Sequence, residues 1–250
     1  MDRSIEKRIF IPSYLSESNL NGHEQIITGN DAHHLKNVLR MKIGEFVIVC
    51  YADGSEYKAM ITQLSDSVIL SIQEKIESDT ELPVNVTLYQ AYPKGDKFDL
   101  ITQKCTELGI FRIVPVISER CIVRLDDSSA EKKIHRLEKI AEGAAKQSGR
   151  IRIPEITMPV SFDEALADIK SADKGFICYE GGGTKPLPEL LSGLSSGSVS
   201  FFIGPEGGLS LREAELAANA DIPLAGLGRR ILRTETAPIF VMSAISLLFC

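Results

Sequence analysis

From Val84 onward the sequence repeats one pattern: a short apolar run, a loop, then a stretch with helical periodicity. That repetition constrains the fold more than any other feature. VNVTLYQAY reads as a strand and DKFDLITQKCTELG as a helix, with Phe98, Ile101, Cys105 and Leu108 on one face and Gly109 as its stop. FRIVPVI reads as the next strand, and a long helix follows, opened by Ser128 with Glu131 three residues on. Ser161 with Glu164, and Ser210 with Glu213, repeat that spacing before two further helices. In such a box the serine oxygen and the carboxylate satisfy each other's backbone amides at a helix start. The strands GFICYE and VSFFIG lie between them. Alternation of this kind predicts an α/β fold with a mostly parallel sheet covered by helices on both faces. Ligands of such sheets collect at the loops leaving the carboxyl ends of the strands.

The first third is of another kind. RIFIP alternates, Asn30 or Asp31 is placed to cap a short helix through HHLKNVLRM, and EFVIVCY, EYKAMITQL and SVILSIQ read as strands. Asp53-Gly54 between two of these runs is a hairpin signal, so a small barrel or compact sheet is expected. The polar, acidic stretch that follows ends in proline and reads as a linker. A length of 250 residues allows one large domain or two modest ones. The pattern divides it into a β domain at 1–74, a linker at 75–83 and an α/β domain at 84–250.

No apolar stretch approaches the ~20 residues a membrane span needs, and the start lacks a signal-peptide apolar core, so a soluble, cytoplasmic protein is expected. Cysteines at 50, 105, 121, 178 and 250 show no CxxC or Cys/His spacing, and His33 and His34 diverge on a helix. No metal site is expected. The net charge of −6 hides an asymmetry. Residues 85–152 carry 13 Lys/Arg against 9 Asp/Glu, a balance of +4, whereas 1–84 (8 against 13) and 153–250 (7 against 12) each stand at −5. A basic centre between acidic flanks is a local electrostatic footprint.

Three loops follow apolar strands in the second domain: Gly181-Gly182-Gly183, then Gly204-Pro205-Glu206-Gly207-Gly208, then Arg229 to Ala237 after PLAGLG. None fits GxGxxG or GxxxxGK[ST], which counts against an enzyme using NAD or a P-loop nucleotide. Glycines let backbone approach a ligand, and backbone amides and carbonyls suit the edge of an adenine. Arg229, Arg230 and Arg233 come just before an apolar terminal helix, PIFVMSAISLLFC, and need partners, whether Glu235, Glu206 or a ligand. A helix that apolar must bury two faces, so a homodimer is expected. On the long helix, Lys132, Arg136, Lys139, Lys146 and Arg150 fall on one line, opposite Ile134, Leu137, Ala141, Ala144 and Ser148. With Lys94, Lys97 and Lys104 in the same basic segment, the stripe is either a solvated face or a set of phosphate contacts.

FIGPEGGLS at 202–210 together with LGRRILRTETA at 227–237 resembles the RsmE family of 16S ribosomal RNA uridine-N3 methyltransferases, of the SPOUT class. RIFIP, HHLKNVLRMKIGE and the Asp-Gly hairpin resemble that family's PUA-like RNA-binding domain, and QAYPKGDKFDLITQKCTELGI and AAKQSGR its middle motifs. The match spans nearly the whole chain. It implies a C-terminal trefoil knot, a homodimer, S-adenosylmethionine bound bent within the knot, and 16S rRNA or the small ribosomal subunit as partner. Cys250 comes early for the family's terminal helix, at the far end of the implied dimer surface.

On that resemblance the donor would lie on Ile203, Gly204, Gly208, Leu227, Gly228, Ile231 and Leu232, with Thr236 near and Glu180 from the first loop. Arg233 would stabilise negative charge on the uracil oxygens, with Lys94 second, and Glu206 or Glu235 orienting it. Lys97, Lys104, Lys132, Arg136, Lys139, Lys146 and Arg150 would hold RNA. Two other readings stand beside this one: a non-catalytic RNA-binding dimer, and a SPOUT methyltransferase acting on a different nucleotide.

Overall fold

A computed structural model describes residues 7–11, 24–121 and 127–250. The chain forms two units, Met1–Glu81 with Ala145–Arg152, and Leu82–Ala144 with Ile153–Cys250. The opening residues read for a signal peptide, and Pro12 of RIFIP, lie outside the described residues.

The first unit is built on a five-stranded sheet in the order β1-β3-β4-β5-β2, an open path among the described residues. Its strands are β1 (Arg8–Ile11), β2 (Glu24–Ile27), β3 (Phe46–Tyr51), β4 (Glu56–Leu64) and β5 (Val68–Ile76). β1 runs parallel to β3 and the other pairings are antiparallel. Around the Asp53-Gly54 turn, the Asp53 carboxylate accepts from the Ser55 amide at 2.8 Å, which closes the β3–β4 hairpin as its sequence predicts. β5 continues to Ile76, two residues into the segment read as linker. Neither Asn30 nor Asp31 caps a helix. The short α1 (Gly29–His33) starts after Thr28 with no side-chain cap, and a five-residue π turn at His34–Val38 carries it on to Leu39. Glu56, only 2% exposed, is neutralised by an ion pair with Arg8 inside this unit.

The second unit holds an eight-stranded sheet in which every pairing is parallel, in the order β11-β13-β10-β12-β6-β7-β8, with β9 also on β7. Central are β6 (Val84–Ala91), β7 (Arg112–Ile117), β10 (Lys174–Cys178) and β12 (Gly197–Ile203). At the edges stand β8 (Glu155–Ile156), β9 (Val160–Ser161) and β11 (Lys185–Pro186), with the short β13 (Leu224–Gly226) between β11 and β10. Successive strand residues face opposite sides, and here both sides are buried, which is why these strands read as unbroken apolar runs. Leu88, Phe176 and Phe201 enter one core while their neighbours Tyr89, Ile177 and Phe202 enter the other. The first core is closed by α2 (Lys97–Glu107), α3 (Asp127–Ser148), α5 (Leu187–Leu190) and α7 (Thr236–Leu247); the second by α4 (Phe162–Ser171) and α6 (Leu211–Asn219). Phe176 stacks on Phe201 in one core, and Phe162 meets Phe202 edge-on in the other.

Both later capping boxes form. The Ser161 and Ser210 hydroxyls accept from the amides of Glu164 and Glu213, whose carboxylates return the contact. α3 begins at Asp127, one residue before the expected Ser128. The terminal helix α7 buries Ala237, Val241, Met242 and Ile245 on one face, and leaves Phe240, Leu247 and Leu248 exposed.

Candidate functional site

The loops leaving β10, β12 and β13 at their carboxyl ends enclose a cavity of about 490 Å³. Tyr179, Glu180 and Thr184 contribute from the first loop, Ile203 to Leu209 from the second except Gly207, and Gly226 to Thr234 from the third. Lys97, at the start of α2 after β6, completes one wall. β13, β10 and β12 are adjacent in the sheet and β6 stands beside β12, so the loops leaving their carboxyl ends and the start of α2 meet over one stretch of it.

The second loop is held from several directions. Gly208 has φ +66, and a side chain there would place its Cβ 2.7 Å from Glu180 Oε1. Glycine is required both for the turn and for the close approach of that carboxylate. Arg120 donates to the Gly207 carbonyl at 2.6 Å. Glu213, 1% exposed at the start of α6, accepts from the amides of Glu119 and Ser210, both at 2.8 Å. Thr234 ties the third loop to the second: its hydroxyl donates to the Gly204 carbonyl at 2.7 Å and accepts from Gln90 Nε2 at 3.0 Å. Gln90 is fully buried on β6, and its Oε1 has no hydrogen-bond partner among the described residues.

Charge is clustered on the Lys97 wall. The Lys97 ammonium donates to Glu206 Oε1 at 2.7 Å and lies 3.5 Å from Glu235 Oε2, a buried oxygen with no other partner among the described residues. Glu206 Oε1 also accepts from the Lys94 amide at 3.1 Å. Partial burial opposes ionisation of Glu206, but the Lys97 and Lys94 contacts outweigh it and hold the carboxyl below its ordinary range. The same hydrogen bond raises the Lys97 ammonium above its ordinary range, so it stays charged. At the mouth, Arg229, Arg230 and Arg233 are exposed, and none makes an ion pair among the described residues.

Of the residues proposed from sequence, Glu180, Ile203, Gly204, Gly208, Leu227, Gly228, Ile231 and Leu232 all line this cavity, with Arg233 and Glu206. Four placements differ. Thr236, the first residue of α7, is exposed and not in the lining, whereas Thr234, two positions earlier, is buried in it. Lys94 reaches the site only through its backbone amide. Lys97, grouped with the RNA contacts, is committed to two carboxylates in the cavity wall. Arg150 leaves the helical line, since α3 ends at Ser148 and Gly149 adopts φ +77; it is 3% exposed and bound to Glu81 at 2.5 Å.

The rest of the stripe is divided. Arg136 pairs with Asp99, Lys104 with Glu107 at 2.9 Å, and Lys146 stands 3.8 Å from Asp31. Lys132 and Lys139 are exposed, with no ion pair among the described residues. Sequence reasoning missed Gln90, Thr234 and Tyr179. A lone amide inside the apolar run VNVTLYQAY was the available signal for the first. No group of three His, Cys, Asp or Glu among the described residues is placed to hold a metal, and no described helix is long and apolar enough to cross a membrane.

Residues 80–246 match the RNA methyltransferase domain family, and residues 27–73 the RNA methyltransferase PUA domain family. The ribosomal RNA small subunit methyltransferase E of Bacillus subtilis is 41% identical over 226 residues, 88% of each chain. The chain belongs to the small-subunit ribosomal RNA methyltransferase E family. Two solved structures agree with that membership. The methyltransferase E of Neisseria gonorrhoeae, bound to S-adenosyl methionine, is 34% identical with a TM-score of 0.84, covering 97% of this chain and 98% of that one. A putative methyltransferase of Legionella pneumophila, in complex with the same cofactor, is 32% identical with a TM-score of 0.85 over the same shares.

Proposed function

We propose that this protein transfers a methyl group from S-adenosylmethionine to N3 of a uridine in 16S ribosomal RNA. The observation that carries the reading is the cavity itself: glycine-rich backbone and apolar walls at the carboxyl ends of a parallel sheet, with guanidiniums at its mouth that make no ion pair among the described residues. Its residues fit the donor. Backbone around Ile203, Gly204, Leu227 and Gly228 suits an adenine edge, and Leu227, Leu232 and Ile203 offer apolar surface to its ring. Glu180, brought close by Gly208, suits ribose hydroxyls.

The bound donor would supply a methyl group already activated on a sulfonium. The chain's contribution is then to orient the acceptor and accommodate its charge. Uridine N3 holds its proton well above neutral pH, so the site must favour the deprotonated ring. Arg233 remains charged throughout, and its exposed fork at the mouth is suited to the uracil oxygens. Glu206 does not orient Arg233; it clasps the Lys94–Lys97 segment.

The β domain at 1–74, followed by the linker at 75–83, would hold RNA, and 84–250 would carry the chemistry within a trefoil knot. Phe240, Leu247 and Leu248 suit a homodimer face on α7, and Lys132 and Lys139 suit phosphate contacts. Such an enzyme would work in the cytoplasm on 16S rRNA or the small subunit. The test has two arms. Calorimetric titration with S-adenosylmethionine should show one site, where a pure RNA-binding module shows no heat. Small-subunit RNA from a strain lacking the protein should lose one N3-methyluridine, restored by the gene. An unchanged methylation map would refute the reading.

A further inference from the structure

The loop at the cavity mouth carries an arrangement that donor binding does not explain. Ile231 is 83% exposed, the highest value among the exposed large hydrophobic residues described. It sits between Arg229 and Arg230 on one side and Arg233 on the other, all exposed and without ion pairs among the described residues. All four line the opening of the cavity. At that exposure the side chain adds little to the stability of the monomer, so its chemistry is free to serve a partner. Three guanidiniums within five positions repel one another unless an anion lies across them.

A base inside a stacked RNA strand cannot bring a ring nitrogen to a buried methyl donor. It must leave the stack, and the gap it leaves destabilises the strand unless something fills it. Proteins that open base steps do so with an apolar wedge, isoleucine among them, flanked by cations on the neighbouring phosphates. We propose that Ile231 is such a wedge, filling the space vacated by the target uridine, while Arg229 and Arg230 grip the phosphates on either side. The inference rests on the methyltransferase reading above. It assigns the mouth of the cavity to an everted nucleotide in an RNA strand.

The experiment uses the full chain with small ribosomal subunits that lack the methyl mark. Ile231→Ala should lower kcat/KM for the subunit by about tenfold or more, the scale of unstacking one base. Its S-adenosylmethionine affinity should fall far less than its rate, and its mass in solution should match wild type. Ile231→Met, which restores apolar bulk, should recover most of the rate, and Ile231→Asn should not. Arg229→Ala with Arg230→Ala should reduce the slope of log affinity against log salt by about 1.4–1.8, the release expected for two phosphates. A loss of donor affinity in step with rate would make Ile231 a donor contact and overturn the wedge. So would a change of mass, which would make it a subunit contact, or an Ile231→Ala rate equal to wild type. If wild type itself methylates no subunit, the function reading fails first, and that outcome is distinct from a wedge that fails in an active enzyme.

Discussion

The Lys97 ammonium stands 2.7 Å from Glu206 Oε1, a residue 109 positions further along the chain, and 3.5 Å from Glu235 Oε2. One cation therefore joins the starts of α2 and α7 to the loop after β12, three of the segments that bound the cavity. Replacing Lys97 by Met leaves two carboxylates facing each other across the gap. Donor affinity should fall roughly two- to fivefold, the scale of a partly exposed ion pair. Lys97→Arg should recover part of it, because a planar guanidinium does not reproduce the compact ammonium. Titration calorimetry on the three proteins checks this, and equal affinities would show that the clasp does not shape the site.

The same pair makes a statement about pH. Glu206 titrates below its ordinary 4.5, so its contribution is present above that value and lost as pH falls through the lower, folded one. Lys97 titrates above its ordinary 10.5, so its contribution is present below that value and lost as pH rises through the higher one. Between those limits the clasp is at full strength. The ratio of donor affinities between wild type and Glu206→Gln should therefore stay constant from weakly acidic to weakly alkaline solution. A ratio that drifts across neutral pH would mean that a different group titrates in the site.

Local signals were legible in the sequence. Ser161 and Ser210 cap their helices as written because each box spans only four residues. The three glycine-rich loops could be placed at one end of a sheet because parallel strands all send their carboxyl ends the same way. Long-range pairing was not legible. Lys97 and Arg150 look like members of a basic face in one dimension, and only the folded chain brings Glu206 to one and Glu81 to the other. Thr234 and Thr236 differ by two positions in one cluster, and the start of α7 between them decides which hydroxyl faces Gly204.

Thr234→Val tests that choice. The hydroxyl is nearly buried, donates to Gly204 and accepts from Gln90. Removing it takes a donor from the Gly204 carbonyl and leaves Gln90 Nε2 with only its bond to the Ala91 carbonyl, which costs about 1–3 kcal/mol. Urea denaturation should show that loss together with weaker donor binding, whereas Thr234→Ser should behave close to wild type. Thr236→Val should change neither quantity by much. Equal effects at 234 and 236 would contradict the hydrogen-bond chain.

Arg233→Lys addresses the acceptor side. It keeps the charge and removes the planar fork that suits two uracil oxygens. The rate at saturating substrates should drop by about an order of magnitude or more while donor affinity holds, since one electrostatic contact to a developing charge is worth at least that. A lysine variant that methylates at the wild-type rate would remove Arg233 from that role.

Arg150 and Lys139 occupy the same stripe in the sequence and should respond in opposite ways. Arg150 is 3% exposed, and its guanidinium donates to both Glu81 oxygens, at 3.2 and 2.5 Å. Truncating it to Ala leaves the half-buried Glu81 carboxylate with only its bond from the Ile151 amide and no countercharge, and should cost roughly 3 kcal/mol of stability. Lys139 is exposed, and replacing it by Ala should leave the denaturation midpoint within error. Its effect should appear instead in RNA binding, as a salt slope reduced by about 0.7–0.9 for the one phosphate no longer neutralised. Denaturation and salt-dependent binding on the two variants separate a structural cation from an RNA-facing one. If Lys139→Ala leaves the salt slope unchanged, the exposed face of α3 is solvated surface, and RNA is held elsewhere.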